Sequence, residues 1–421
     1  MSRVAAACLV GSAIEFYDFL IYGTAAALVF PTVFFPQLSP TVATIASMGT
    51  FASAFVSRPI GGATFGYLGD RLGRKKSLIA TLLIMAVATV GVGLVPTTAS
   101  IGVAAPVILV LLRLVQGFAA GGEWAGSALL SVEYAPAGKR GRYGMFTLLG
   151  GGVAAILTSL TFLGVSVSIG ESSLAFMRWG WRIPFLLSSV LVGIALYVRL
   201  RIDETPVFAE EEAHRQVPKA PITELLRNQR RETVLAGGSI LSGMSSVYMA
   251  HTYLPHFAHS HFGYSRSFIW TVGALGGLAS ITVVTISAIV SDRVGRRRMM
   301  MLGWAGCALW ALAVVPLINT GAPLCYAIAV IGMLAIAAIG SGPTGAFIPE
   351  LFATRYRYSG SALAINLAGI FGAALPPLIA GTVQAAYGTW AVGVMLAGLA
   401  LASFGCTYLL PETKGTALRS A

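Results

Sequence analysis

The chain has 421 residues, 56% of them hydrophobic and only 10% charged, and a mean hydropathy of +0.79; a water-soluble domain carries about 25% charged residues. Its formal charge of +12 suggests a polyanion partner, yet the basic residues are scattered between apolar runs and do not gather on one soluble segment, which argues against nucleic acid. Cys8, Cys307, Cys325 and Cys406 all fall inside apolar runs, at spacings that fit neither a disulfide framework nor a metal site.

Twelve apolar runs follow one another, near 4–30, 41–68, 77–96, 103–132, 142–166, 181–200, 233–255, 267–290, 299–317, 323–347, 358–383 and 389–410. Most have about the 20 residues that a helix needs to cross a hydrocarbon core of about 30 Å. The expected fold class is therefore all-α, a polytopic membrane protein of twelve transmembrane helices. If the first helix starts in the cytoplasm, 23 of the 28 Lys and Arg lie in cytoplasmic loops and termini; Arg178, Arg182 and Arg266 lie outside, and Arg58 and Arg113 lie within helices. That bias places both termini in the cytoplasm and makes anionic lipid headgroups the partner of the basic surface. No cleavable signal peptide is expected, since Glu15 and Asp18 interrupt the first apolar run.

In the first run, Glu15-Phe16-Tyr17-Asp18-Phe19 puts Glu15 and Asp18 at i and i+3, with Tyr22 four further on, so the three share a face. Ionisable groups at bilayer depth are costly unless they look into a bundle or a water-filled cavity, which makes them functional candidates; the plainer reading is a hydrogen bond to a neighbouring helix. The second run brings Arg58-Pro59-Ile60-Gly61-Gly62 and Gly66. Arg58 is about ten residues, or roughly 15 Å, from the following basic turn and so near mid-membrane, and Gly62-x-x-x-Gly66 lets another helix come close. In the fourth run, Arg113, Gln116, Ala120, Glu123 and Ser127 form one polar stripe, next to the helix-bending pair Gly121-Gly122. The seventh run offers Ser242, Ser245, Ser246, Tyr248 and His251, the tenth Gly340 to Gly345, and the eleventh Asn366; hydroxyls in such helices commonly satisfy their own backbone. His256, His259 and His261 tempt a metal reading, but no nearby Asp, Glu or Cys completes a shell, and an external loop is the simpler account.

Three turn motifs return in the same order. Asp70-Arg71-Leu72-Gly73-Arg74 recurs as Asp292-Arg293-Val294-Gly295-Arg296, the turn from Glu133 to Arg140 recurs from Glu350 to Arg355, and Glu204-Thr205-Pro206 is echoed by Pro411-Glu412-Thr413. Ordered recurrence means two copies of one unit. The expected division is an N-terminal six-helix bundle (1–200), a cytoplasmic linker (201–231) and a C-terminal six-helix bundle (232–421).

These residues resemble the major facilitator superfamily, and more closely its metabolite:proton symporters. The resemblance rests on Glu15 to Phe19 with Tyr22-Gly23-Thr24, Arg58-Pro59-x-Gly61-Gly62, the turn from Gly66 to Lys76, Arg113-x-x-Gln116-Gly117 leading to Gly121-Gly122-Glu123-Trp124, and Trp181-Arg182-Ile183-Pro184-Phe185. It implies two six-helix halves rocking about a central site near the midplane, in a bacterial-type inner membrane. It also implies gates built from Gly66, Asp70, Arg71, Gly73 and Arg74 after span two, and from Asp292, Arg293, Gly295 and Arg296 after span eight. Glu133 with Arg140, and Glu350 with Arg355, extend the gating set, although basic loops also satisfy topology alone.

The expected function is proton-coupled uptake of a small organic acid or zwitterion, with the charged groups facing a watery hollow shared by the halves. Glu15, Asp18 and Glu123 are the proton-coupling candidates, because a carboxylate whose proton affinity differs between a dry and a hydrated state can couple. Arg58 and Arg113, with Gln116 and Tyr22, are the substrate-binding candidates, a guanidinium being matched to a carboxylate. No cofactor is expected beyond protons as the coupling ion, no metal, and a monomer is the expected state. A passive facilitator remains an alternative; an antiporter is a weaker one, since span five reads Leu148-Leu149-Gly150-Gly151-Gly152-Val153 without the proline of the antiporter motif. An enzyme is not expected, as no convincing nucleophile and base pair occurs at depth.

Overall fold

The computed structural model describes residues 2–72, 74–136, 138–170, 173–200, 221–353 and 356–415, and among these there are helices and no strands. Ten helices among the described residues are long and apolar enough to cross a membrane. The two other expected spans are present in altered form. Span two is one helix, Pro40–Leu72, diluted in apolar character by its Ser, Thr and Gly. Span seven is broken into Arg230–Gly238, Leu241–His251 and Tyr253–Phe262. The architecture is that of twelve membrane helices. Of the expected linker, residues 201–220 lie outside the described residues, and the helix Pro221–Asn228 follows.

Breaks recur at related places in the two halves. Span four runs Ala104–Ala120 and resumes as Glu123–Glu133 after Gly121-Gly122; span ten runs Pro323–Ser341 and resumes as Thr344–Glu350 after Gly342-Pro343. Span eleven begins as Arg357–Ala368, widens into a π-helical turn at Gly369–Ala374 and continues as Leu375–Tyr387. The wide turn lies just before Pro376 and Pro377, which have no N–H to continue the helical ladder.

Spans two and four cross with their backbones touching. A Cβ at Gly61 would fall on the carbonyl of Phe118, one at Gly117 on that of Ala54, and one at Gly121 on that of Arg58. This contact sets the depth and rotation of Arg58 relative to Arg113. The Gly62-x-x-x-Gly66 face packs instead against span eleven of the second half: a Cβ at Gly62 would stand 2.8 Å from Asn366 Nδ2, and one at Gly66 3.3 Å from the Tyr358 ring. Away from the basic turns, Tyr22, Phe30, Phe34, Trp181 and Phe185 form an edge-to-face cluster in the first half. Beside it, Arg182 Nη1 donates to the carbonyls of Gly93 and Val95 at 2.7 Å each, which serves two acceptors at the end of span three.

The halves also meet along span five (Arg140–Ile169) and span eight (Arg266–Val294), where Gly277 stands against the Gly152 carbonyl and Phe162 stacks on Trp270 at 5.4 Å between centroids. Gly117→Ala should cost about 1–3 kcal/mol by forcing a Cβ into backbone. Gly193→Ala, where nothing lies within 4 Å, should be neutral or slightly stabilising. Thermal melting of the two purified variants in detergent checks the difference.

Candidate functional site

The polar residues of the first and fourth spans converge inside the first half. Glu15, Asp18, Arg113, Gln116 and Glu123 are each at most 1% exposed. Glu15 Oε1 and Arg58 Nη2 form a buried ion pair. Asp18 belongs to a separate chain of hydrogen bonds. Arg113 Nη1 donates to Gln116 Oε1 (2.6 Å), Gln116 Nε2 donates to Thr89 Oγ1 (2.5 Å), and the Thr89 hydroxyl donates to Asp18 Oδ2 (2.7 Å). Thr89 has a second acceptor in reach, the Met85 carbonyl at 2.9 Å. Its single proton can therefore turn away from Asp18 without being stranded.

Aromatic rings line both guanidiniums. Arg113 lies 4.4 Å from the Phe19 centroid, 4.1 Å from Tyr22 and 5.3 Å from Phe51; Arg58 lies 4.6 Å from Phe19 and 5.4 Å from Phe55. Phe19 thus contacts both cations, and desolvated cation–π contacts of this kind are worth about 2 kcal/mol. Among the described residues, Arg113 Nε and Nη2 are buried with no hydrogen-bond partner. Those donors have the geometry to serve a carboxylate's two oxygens, and the surrounding rings stabilise the charge. Tyr22 donates its hydroxyl to Thr50 Oγ1 at 2.8 Å. Glu123 opens the helix after the Gly121-Gly122 break and accepts from Thr81 Oγ1 at 3.4 Å.

A cavity of about 100 Å³ lies between the halves, with Phe16 and Trp124 on one side and Tyr248, His251, Ser280 and Ser341 on the other. None of Glu15, Asp18, Glu123, Arg58 and Arg113 lines it, which departs from the expectation of charges facing a shared hollow. The reason is rotational: at 100° per residue, Phe16 takes the cavity-facing position, and Glu15 and Asp18 turn towards spans two and three. Tyr248 joins the two regions, packing against Phe51 and Phe55 with centroids 5.7 and 5.6 Å away.

The halves touch at both ends of this cavity. At the basic-turn end, Asp292 accepts from the free N–H groups of Gly141 (2.9 Å) and Arg142 (3.0 Å) at the start of span five and pairs with Arg296 Nη2 at 2.8 Å. Glu350 faces Arg296 at 3.4 Å and Arg140 at 3.8 Å. Gly295 holds φ at +115°, and beside it Glu412 accepts from Arg296 N (2.9 Å) and Arg297 N (3.1 Å). Of the other gating candidates, Gly66 packs on Tyr358, Glu133 ends its helix, and Arg293 is exposed, its carbonyl accepting from Lys414 Nζ at 2.5 Å. Gly73, Arg355 and the side chains of Asp70, Arg71 and Arg74 lie outside the described residues.

Sequence reasoning assigned no role to Thr89 or Tyr358. Tyr358 donates to the Gly122 carbonyl at 2.6 Å and Asn366 Nδ2 to the Gly121 carbonyl at 3.2 Å, so span eleven grips span four where its helix breaks. At the opposite end His256 Nδ1 meets the Ala27 carbonyl at 3.1 Å and Arg266 Nη2 donates to that of Leu28 at 3.2 Å. The three expected histidines part company: His259 Nδ1 lies 2.8 Å from the Tyr264 carbonyl and His261 Nε2 lies 3.2 Å from Gln384 Nε2.

The sequence model of the Major Facilitator Superfamily matches residues 9–366. The inner membrane metabolite transport protein YhjE of Escherichia coli K12 is 41% identical over 99% of this chain and 96% of its own. The shikimate transporter of the same organism is 36% identical over 90% of this chain and 86% of its own. The proline/betaine transporter of Salmonella typhimurium LT2 is 33% identical over 91% and 78%. A partially occluded inward-open structure of the xylose transporter XylE from E. coli aligns over 99% of both chains with a TM-score of 0.78, at 20% identity; it shares the fold.

Breaking the Glu15–Arg58 pair from one side should destabilise the protein by about 3–5 kcal/mol, because the remaining charge stays buried. Glu15→Gln combined with Arg58→Gln should recover a substantial part. A double-mutant cycle on detergent melting temperatures checks this, with an additive result as the contrary outcome.

Proposed function

The chain belongs to the major facilitator superfamily, and from that premise we propose that it takes up a small organic acid or zwitterion together with a proton by alternating access. It is a multi-pass membrane transporter of metabolites and not an enzyme. The proposal adds the coupling ion, the direction and the substrate class. The observation that carries it is the buried chain from Asp18 through Thr89 and Gln116 to Arg113, which ties a titratable carboxylate to a guanidinium with two open donors.

In this reading the empty carrier holds Glu15 against Arg58 and Asp18 against Thr89. A proton arriving at Asp18 removes its negative charge, and Thr89 turns its hydroxyl to the Met85 carbonyl. Gln116 and Arg113 are thereby released to receive a substrate carboxylate, for which a guanidinium offers two parallel N–H donors. Arg58 exchanges Glu15 for the substrate in the same way, and Tyr22 orients the Arg113 guanidinium. Glu123, next to the break that Tyr358 and Asn366 grip, relates the acids to the gate. No cofactor enters this cycle, only the proton. Both termini and the basic turns face the cytoplasm of a bacterial-type inner membrane, with 1–200 and 232–421 as the rocking halves about the linker 201–231.

The driving force is adequate. One charge moving through 100 mV gains about 2.3 kcal/mol, and at about 1.4 kcal/mol per decade this sustains close to a 50-fold gradient of a neutral solute. A monoanion moving with one proton carries no net charge, so ΔpH alone drives it.

Proteoliposomes with an imposed inward proton gradient should accumulate at least one of shikimate, α-ketoglutarate, citrate, benzoate, proline and glycine betaine above equilibrium. Glu15→Gln or Asp18→Asn should abolish accumulation and preserve exchange. Uptake that stops at equal concentrations, with or without the gradient, would indicate a passive facilitator instead.

A further inference from the structure

His251 ends the helix Leu241–His251, is 6% exposed, and presents its ring to the cavity between the halves. No hydrogen-bond partner of either ring nitrogen occurs among the described residues. A neutral imidazole has one donor and one acceptor. A buried polar group left unmatched is unfavourable, so a cavity-facing imidazole is matched when a ligand brings the complementary atoms.

The surroundings restrict what that ligand is. Tyr248 sits one helical turn earlier on the same wall, and Ser280 approaches from span eight. Gly273 lies beside the ring: a Cβ there would meet His251 Cε1 at an ordinary 3.8 Å and crowd the Ser159 hydroxyl at 2.8 Å. The first half contributes an apolar wall that includes Phe16, Trp124 and Leu148, and among the described residues no Asp, Glu, Lys or Arg lines the cavity. The nearby cations are Arg58 and Arg113, in the aromatic layer that Tyr248 packs against.

We propose that His251 is a specificity-determining residue whose imidazole pairs with a hydroxyl of the carried molecule, so that the carrier selects hydroxylated carboxylates over quaternary-ammonium zwitterions. A hydroxyl both donates and accepts, and so satisfies the imidazole together with Ser280. The carboxylate of the same molecule is drawn towards the two guanidiniums, and its carbon skeleton packs on Phe16 and Trp124. A trimethylammonium group has no hydrogen-bonding atom and, in the same pose, leaves His251 unmatched. The inference rests on the transport reading above but does not depend on its proton coupling.

Radiolabelled shikimate and glycine betaine are the probes, offered to proteoliposomes with and without an inward proton gradient. Wild-type protein should take up shikimate in preference to betaine. His251→Leu should raise KM for shikimate by about 10- to 100-fold, the range for one buried hydrogen bond, with the maximal rate little changed. His251→Gln, which keeps a donor and an acceptor, should stay within about three-fold of wild type. The melting temperature of His251→Leu should not fall, whereas a purely structural histidine predicts that it does. Equal KM in wild type and His251→Leu, betaine uptake matching that of shikimate, or no uptake of shikimate, malate, quinate or citrate by wild type would each overturn the assignment. His251-dependent uptake that ignores the proton gradient would count against the proton coupling and leave the assignment standing.

Discussion

Keeping two guanidiniums and three carboxyl groups away from both water and lipid is the constraint on which the first half is built. An uncompensated charge in such a place is costly, and an ion pair that loses a partner leaves one behind. Here the compensation comes from three sources: the Glu15–Arg58 pair, the relay from Asp18 to Arg113, and the faces of Phe19, Tyr22, Phe51 and Phe55. The glycine contacts between spans two and four serve this requirement, because touching backbones bring Arg58 and Arg113 within reach of one phenylalanine ring.

The second half is the complement. Among the described residues its cavity wall carries no Asp, Glu, Lys or Arg, and its charged residues other than Arg266 gather at the basic-turn end, where Asp292, Arg296, Glu350 and Glu412 tie helix starts together. Carboxylates at helix N-termini serve N–H groups that have no partner within the helix. Asp292 does this across the interface between the halves, so the contact that finishes one helix also joins the two halves. Asn366 and Tyr358 use the opposite polarity, donating to carbonyls exposed by the Gly121-Gly122 break.

Hydropathy and turn motifs made most of the architecture legible in the sequence, because an apolar run of membrane length permits little other than a helix. The breaks were legible as glycine and proline pairs in spans four and ten; in span seven the break at Ser239-Ile240 follows the pair Gly237-Gly238, whereas that at Thr252 carries no such mark. Periodicity grouped Glu15, Asp18 and Tyr22 on one face but could not say which neighbour that face meets, and a single-residue rotation gave the cavity to Phe16. Arg58 was placed at depth by counting from its turn, yet its partner was only one of several acids. Thr89 gave no signal, since a threonine bonded to its own helix at Met85 reads like many others.

In the proposed cycle, protonation of the buried acids ties substrate binding to the closing of the halves. The most direct measurement follows the proton itself: purified carrier in weakly buffered detergent, mixed with the substrate that the uptake assay identifies, with a pH-sensitive dye recording exchange with solvent. Binding should move protons between protein and solvent in the wild type and move none when Glu15→Gln and Asp18→Asn are combined. Proton movement that is unchanged in the combined variant would contradict the account.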